Sequence, residues 1–146
     1  MNSILTALYI GLSGALTLPQ GGADMPRLGG GALRVGSYLN EDFAIEGEAA
    51  WLEDRAGLAL DGLWHLQGWS GYGDLFGYSR FDPFLTFGAK GWVGNGPGQV
   101  GPKVGCGAFY HLTDNWSLRA DGDATLGLDG ETEMIYSINV GVQYEF

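Results

Sequence analysis

The 146-residue chain has a single cysteine, Cys106, so it can build neither an intrachain disulfide framework nor a cysteine-rich metal site. Charge is scarce as well. Asp, Glu, Lys and Arg make up 16% of the residues, against about 25% in an ordinary soluble domain. Positive charge is scarcest: Arg27, Arg34, Arg55, Arg80, Lys90, Lys103 and Arg119 stand singly, and the net charge is -10. Neutralising phosphates takes clustered Lys and Arg, so a nucleic acid partner is not expected. No run reaches the roughly 18 strongly apolar residues of a membrane helix. Helical spacing of apolar residues is almost absent too.

What is present is hydrophobic and small. Hydrophobic residues make up 45% of the chain, aromatics 13%, and there are 27 glycines. No G-X-Y period accompanies the glycines, which excludes collagen. Five Trp, seven Tyr and seven Phe give ample surface to bury, which excludes disorder. The length suits one domain with a real core, over residues 1–146. The segment Ile4 to Leu18, ILTALYIGLSGALTL, lacks the positive flank of a signal peptide, and Gly11, Ser13 and Gly14 interrupt it. It reads as a strand of the mature domain, with an uncleaved signal sequence as the competing reading. A leader removed upstream of Met1 is the expectation that goes with the strand.

Period-two alternation recurs along the chain, the mark of strands with two unlike faces. Phe43, Ile45, Gly47, Ala49 and Trp51 oppose Ala44, Glu46, Glu48 and Ala50. Leu58, Leu60, Gly62, Trp64 and Leu66 oppose Ala59, Asp61, Leu63, His65 and Gln67. Leu85, Phe87, Ala89 and Val93 oppose Thr86, Gly88, Lys90 and Trp92, and Val104, Cys106, Ala108 and Tyr110 oppose Lys103, Gly105, Gly107 and Phe109. Trp116, Leu118 and Ala120 oppose Ser117, Arg119, Asp121 and Asp123. The end alternates most cleanly, with Met134, Tyr136, Ile138, Val140, Val142, Tyr144 and Phe146 against Ser137, Asn139, Gly141, Gln143 and Glu145. With Gly30–Leu39 and the first segment this gives about eight strands, each near the 9–11 residues of a tilted membrane strand. Asn40-Glu41-Asp42, Thr113-Asp114-Asn115 and Asp129-Gly130-Glu131 are tight polar turns. Pro19–Gly29 and Gly94–Gly101 read as Gly/Pro loops, and Gln67–Asp82 as the longest connection.

The composition of the faces sets their direction. Arg34, Glu46, Glu48, Asp61, Lys90, Lys103, Arg119, Asp121, Asp123 and Glu145 share one face with Gly and Ala. Small residues beside isolated charges of both signs suit a crowded interior, where each charge needs a partner. The other face is free of charge and sets Trp51, Trp64, Tyr110, Trp116, Tyr144 and Phe146 near strand ends, where aromatic girdles meet lipid headgroups. The expected fold is all-β, an eight-stranded antiparallel up-and-down transmembrane barrel.

On these residues the chain resembles the small bacterial outer membrane β-barrels of the outer membrane protein A/X type. The last strand, MIYSINVGVQYEF, resembles that family's assembly signal, and RFDPFLTFGAKGW (Arg80–Trp92) resembles its entry into the fifth strand. The resemblance implies residence in the bacterial outer membrane, contact with membrane lipids and lipopolysaccharide, and reading of Ile138, Val140, Val142, Tyr144 and Phe146 by the barrel-assembly machinery. Nothing follows Phe146, so the peptidoglycan-binding domain of longer members is expected to be absent.

An eight-stranded barrel is just wide enough to be filled by side chains, so no open pore is expected. The interior charges read as a salt-bridge network, with a narrow ion path as the competing reading. Enzymes on small barrels that act on lipid A need His, Ser and an acid near the outer leaflet. His65 and His111 instead fall at the periplasmic ends of descending strands, so they read as packed network members, and no enzyme is expected. A lipid A-modifying enzyme and a soluble ligand-binding calycin are weaker readings of the same alternation. The two histidines lack a third ligand at fixed spacing, so neither metal nor cofactor is expected. Trp69, Tyr72, Phe76, Tyr78 and Phe81 make the 67–82 connection a candidate surface for a protein partner, or a strand extension or plug of one mouth.

Overall fold

The computed structural model describes residues 6–19, 27–40, 42–51, 55–66, 81–94, 99–127 and 133–146. Its strands are β1 (Thr6–Pro19), β2 (Arg27–Tyr38), β3 (Phe43–Trp51), β4 (Arg55–His65), β5 (Phe81–Gly94), β6 (Gln99–His111), β7 (Trp116–Gly127) and β8 (Glu133–Glu145). Each pairs antiparallel with the next and β8 pairs with β1, so the sheet closes into a barrel. Closure is staggered. Backbone partners followed from Thr17 through Ser137, Asp123, Gly105, Thr86, Leu63, Ala44 and Tyr38 return to β1 at Thr6. That offset is the strand tilt that lets eight strands close.

Both ends of the described chain lie at one mouth, the termini end, with the β2–β3 and β6–β7 turns. Two polar side chains shape those turns. Asn40 Oδ1 accepts the N–H groups of Asp42 and Phe43 at 2.8 and 2.9 Å, and Thr113 Oγ1 accepts that of Trp116 at 3.0 Å. The seam closes there too: the Phe146 N–H donates to the Leu8 carbonyl at 2.9 Å. The β4–β5 connection also leaves from the termini end, and the β1–β2, β3–β4, β5–β6 and β7–β8 connections leave from the opposite mouth, the far end. Gly94, with a φ of 150°, ends β5 in a conformation that side chains disfavour.

The faces are inverted relative to a water-soluble protein. Leu58 is 72% exposed and Val140 64%, while Arg34 and Glu46 are each 1% exposed. Apolar side chains so placed are satisfied only by hydrocarbon outside, which is the pattern of a transmembrane barrel. The eight expected strands are therefore present with their expected facing. Their limits differ in places. β6 begins at Gln99 inside the expected Gly94–Gly101 loop, because the backbone of Gln99–Gly101 still completes the ladder with Lys90–Trp92. Similarly, β2 takes in Arg27–Gly29, and Phe81 and Asp82 belong to β5 rather than to a connection.

Candidate functional site

The lumen is filled in three layers. Nearest the termini end lie Tyr9, Ala44, Leu63, Phe84 and Phe109, with Tyr38 packed against them. The Phe84 and Phe109 rings stack at 4.9 Å between centroids, and His65 stacks on Phe109 at 5.9 Å. Room for Tyr9 comes from Gly36, where a Cβ would fall 2.2 Å from the ring. Beyond the charges, toward the far end, lie Ala32, Ala50 and Trp92, with Ile135 packed against them.

Between the apolar layers sit four cations, Arg34, Lys90, Lys103 and Arg119, and five carboxylates, Glu46, Glu48, Asp61, Asp121 and Asp123, all buried. Strand alternation puts each of them inside, and the register brings distant strands together. Arg119 of β7 forks onto Glu46 of β3, with Nη2 donating to Oε1 at 3.0 Å and Nη1 to Oε2. Its Nη2 also donates to Asp121 at 2.9 Å, and the Tyr9 hydroxyl donates to Glu46 at 2.9 Å. Arg34 donates to Glu48 at 2.8 Å and to the Ser13 hydroxyl at 2.7 Å. Lys90 reaches Glu48 and Lys103 reaches Asp61, each at 2.7 Å. Asp123 is held more loosely, by Lys103 at 4.0 Å and by Asn139, which donates at 3.4 Å. Each cation has at least one carboxylate partner, which such burial demands, since an unpaired charge there would be strongly destabilising.

The network is clamped to both apolar layers. The Arg119 guanidinium lies 5.1 Å from the Phe84 ring centroid and 5.2 Å from that of Phe109. The Lys90 ammonium lies 4.4 Å from the Trp92 centroid. Such contacts strengthen when water is excluded. Chemically, the arrangement ties strands on opposite sides of the barrel together through paired charges.

Glu145 differs from the other charges on its face. It is the last residue of β8 at the termini end, half-buried, and makes no salt bridge to Arg or Lys among the described residues. It lies past the aromatic layer, at the rim rather than in the enclosed network. Asp82, not among the expected interior charges, is buried instead, with its Oδ2 at 2.7 Å from His65 Nδ1. The alternation of β5, counted back from Lys90 through Phe84, would have found it. His111 Nδ1 lies 2.7 Å from the Ser117 hydroxyl, and its Nε2 lies 3.9 Å from Asp82. Both histidines thus belong to a hydrogen-bonded rim at the termini-end mouth.

On the outer face Trp64, Tyr110 and Trp116 lie toward the termini end, and Trp51 lies toward the far end, over Gly31. Trp64 stacks on Phe43 at 6.1 Å between centroids. Trp116, Tyr144 and Phe146 form a ladder of edge-on rings with centroids 5.0 Å apart. Ile138, Val140 and Val142 are exposed on the same face. Cys106 is exposed there as well. Phe81 pairs in register with Tyr110, whereas Trp69, Tyr72, Phe76 and Tyr78 lie outside the described residues.

No protein-family model matches the chain, and no curated protein matches it in sequence. Solved structures do match its fold. The outer membrane protein OprG of Pseudomonas aeruginosa superposes with a TM-score of 0.68 at 11% identity, over 97% of each chain. The amino-terminal β-barrel domain of OprF from the same organism gives 0.64 at 14% identity, over 94% of this chain and 97% of that one. Neisserial surface protein A gives 0.64 at 14% identity, over 96% of each. The fold is that of small eight-stranded outer membrane barrels.

Proposed function

We propose that the protein is an integral barrel of the bacterial outer membrane with a closed interior, serving as a structural element rather than as a pore or an enzyme. The observation that supports this reading is the occupied lumen: nine buried charges lie between two apolar layers. An ion entering would have to displace paired charges in a site already desolvated, which is strongly unfavourable. Planar bilayers holding the folded protein are expected to stay electrically silent. A steady conductance would contradict the closed reading, and its reversal of selectivity in Lys90→Glu would favour a narrow ion path.

The outer partners proposed are membrane lipids and lipopolysaccharide along the apolar wall. The barrel-assembly machinery is proposed to read Ile138, Val140, Val142, Tyr144 and Phe146, and the exposure of Phe146, 74%, supports this. Ser117, His111 and Asp82 do approach one another, but Ser117 is buried and the His111–Asp82 separation of 3.9 Å exceeds a hydrogen bond. They are therefore proposed to brace the mouth rather than to cleave lipid, and His111→Ala is expected to leave lipid A profiles unchanged. A protein partner at the 67–82 connection is proposed on sequence grounds, from its aromatic content. Crosslinking in native outer membranes with mapping to that connection tests it.

A further inference from the structure

We infer that Trp92 is a movable lid on the far mouth, closed over the charge network at rest and swinging out to admit water and small ions. This rests on the closed-barrel reading and adds to it, because the aromatic layer at the termini end stays shut. The lid then governs entry to a blind vestibule, not passage through the barrel.

Position comes first. Trp92 lies two residues beyond Lys90 along β5, so it is farther toward the far end than the network it covers. It is nearly wholly buried, at 5% exposure. Among the described residues its layer holds the small residues Ala32 and Ala50 with Gly57 beneath the ring, and Ile135 packs against that layer as its one large aliphatic side chain. A Cβ at position 57 would come within 2.8 Å of the indole, so that glycine is what lets the ring lie flat. No interlocking aromatic partner holds Trp92 there among the described residues, unlike Phe84 and Phe109 at the other end.

Its hydrogen bonding is the second observation. The indole Nε1 is buried with no acceptor, whereas the Tyr9 hydroxyl in the opposite layer donates to Glu46. A buried donor without a partner opposes the closed state, and swinging the ring into water would satisfy it. Attraction to the Lys90 ammonium, 4.4 Å from the ring centroid, pulls the other way. Water entering beneath the lid would find Asp61 Oδ1 and Asp123 Oδ1, both buried acceptors without a donor. Opposed terms of this kind make a two-position side chain.

The test is the rate at which a buried thiol reacts with a charged methanethiosulfonate reagent. The folded full chain is used in nanodiscs, with Cys106→Ala and Ser137→Cys placing the only thiol in the lumen, where Ser137 is 5% exposed. Trp92→Ala is expected to raise the rate roughly tenfold or more by removing the barrier to local access. Gly57→Ala, which wedges the ring outward, is expected to raise it as well. Trp92→Phe keeps a ring but has no N–H to satisfy, so it is expected to label about fivefold more slowly than Trp92 itself. Equal rates in the parent, Trp92→Ala and Gly57→Ala overturn the lid. So does fast labelling in Trp92→Ala alone, which would mean a static plug. Fast labelling in every variant, the parent included, would instead overturn the closed barrel beneath it. Retention of the heat-modifiable gel shift confirms folding in each case.

Discussion

At the termini end the lumen holds interlocked rings, with Tyr9, Phe84 and Phe109 packed together and His65 stacked on Phe109. At the far end Trp92 lies against Ala32, Ala50 and Gly57 with Ile135 packed on that layer, and its indole N–H is unmet. At the first end the Tyr9 hydroxyl donates to Glu46 and His65 Nδ1 lies 2.7 Å from Asp82, although His65 Nε2 is buried without a partner. On the closed-barrel proposal the difference separates mutual packing from single-ring cover, with opening inferred for the second alone. It also gives the barrel a tight end and a loose end although the same eight strands run through both.

The largest effects should come from the layer between the ends. Arg119→Ala strands Glu46 and Asp121 without their closest cation, and a loss of about 3–5 kcal/mol is expected. Denaturant unfolding in lipid vesicles measures it. Lys90→Ala should lose clearly less, because Glu48 keeps Arg34 at 2.8 Å. Equal losses would mean the charges act as one pool rather than as pairs.

The two ends themselves come next. Phe109→Ala should destabilise by about 3–5 kcal/mol, as the emptied site cannot collapse within a fixed barrel. Trp92→Ala should fall short of it by at least about 1 kcal/mol, since the unmet donor leaves with the ring. A larger loss at Trp92 would reverse the assignment of tight and loose ends. On the outer wall Val140→Arg should lose about 2–4 kcal/mol by placing charge in hydrocarbon. The smallest effect is expected at the β2–β3 turn, where Asn40→Ala removes acceptors for two backbone N–H groups and should lose about 1 kcal/mol.

The fold was legible because alternation is a local signal and survives in each strand. The inside-out facing was legible as well, since Leu58 and Leu60 share a face free of charge while Asp61 lies on the other. Strand limits were less so. Gly94–Gly101 reads as a loop and the next strand as starting at Lys103, yet the strand runs through Pro102, which pairs in register with Ala89 and is exposed on the outer face. A proline is poor evidence against a strand when one missing N–H is the only loss. The partners of the charges were not legible at all. Glu46 and Arg119 stand 73 positions apart, and only the barrel's stagger sets them face to face. Alternation puts Trp92 on the polar face, but nothing local marks it as a cover, because that role depends on Gly57 of the neighbouring strand.

Neighbouring residues on β8 test the central claim, an apolar wall around a polar filling, most directly. Nitroxide labels placed singly at Val140, 64% exposed, and Asn139, 4% exposed, are to be compared in lipid bilayers. Oxygen dissolved in the hydrocarbon should relax the label at Val140 strongly and the one at Asn139 weakly, and a water-soluble nickel chelate should barely reach Val140. Strong collision of the chelate with Val140, together with oxygen contact at Asn139, would show the wall facing the other way and contradict the account.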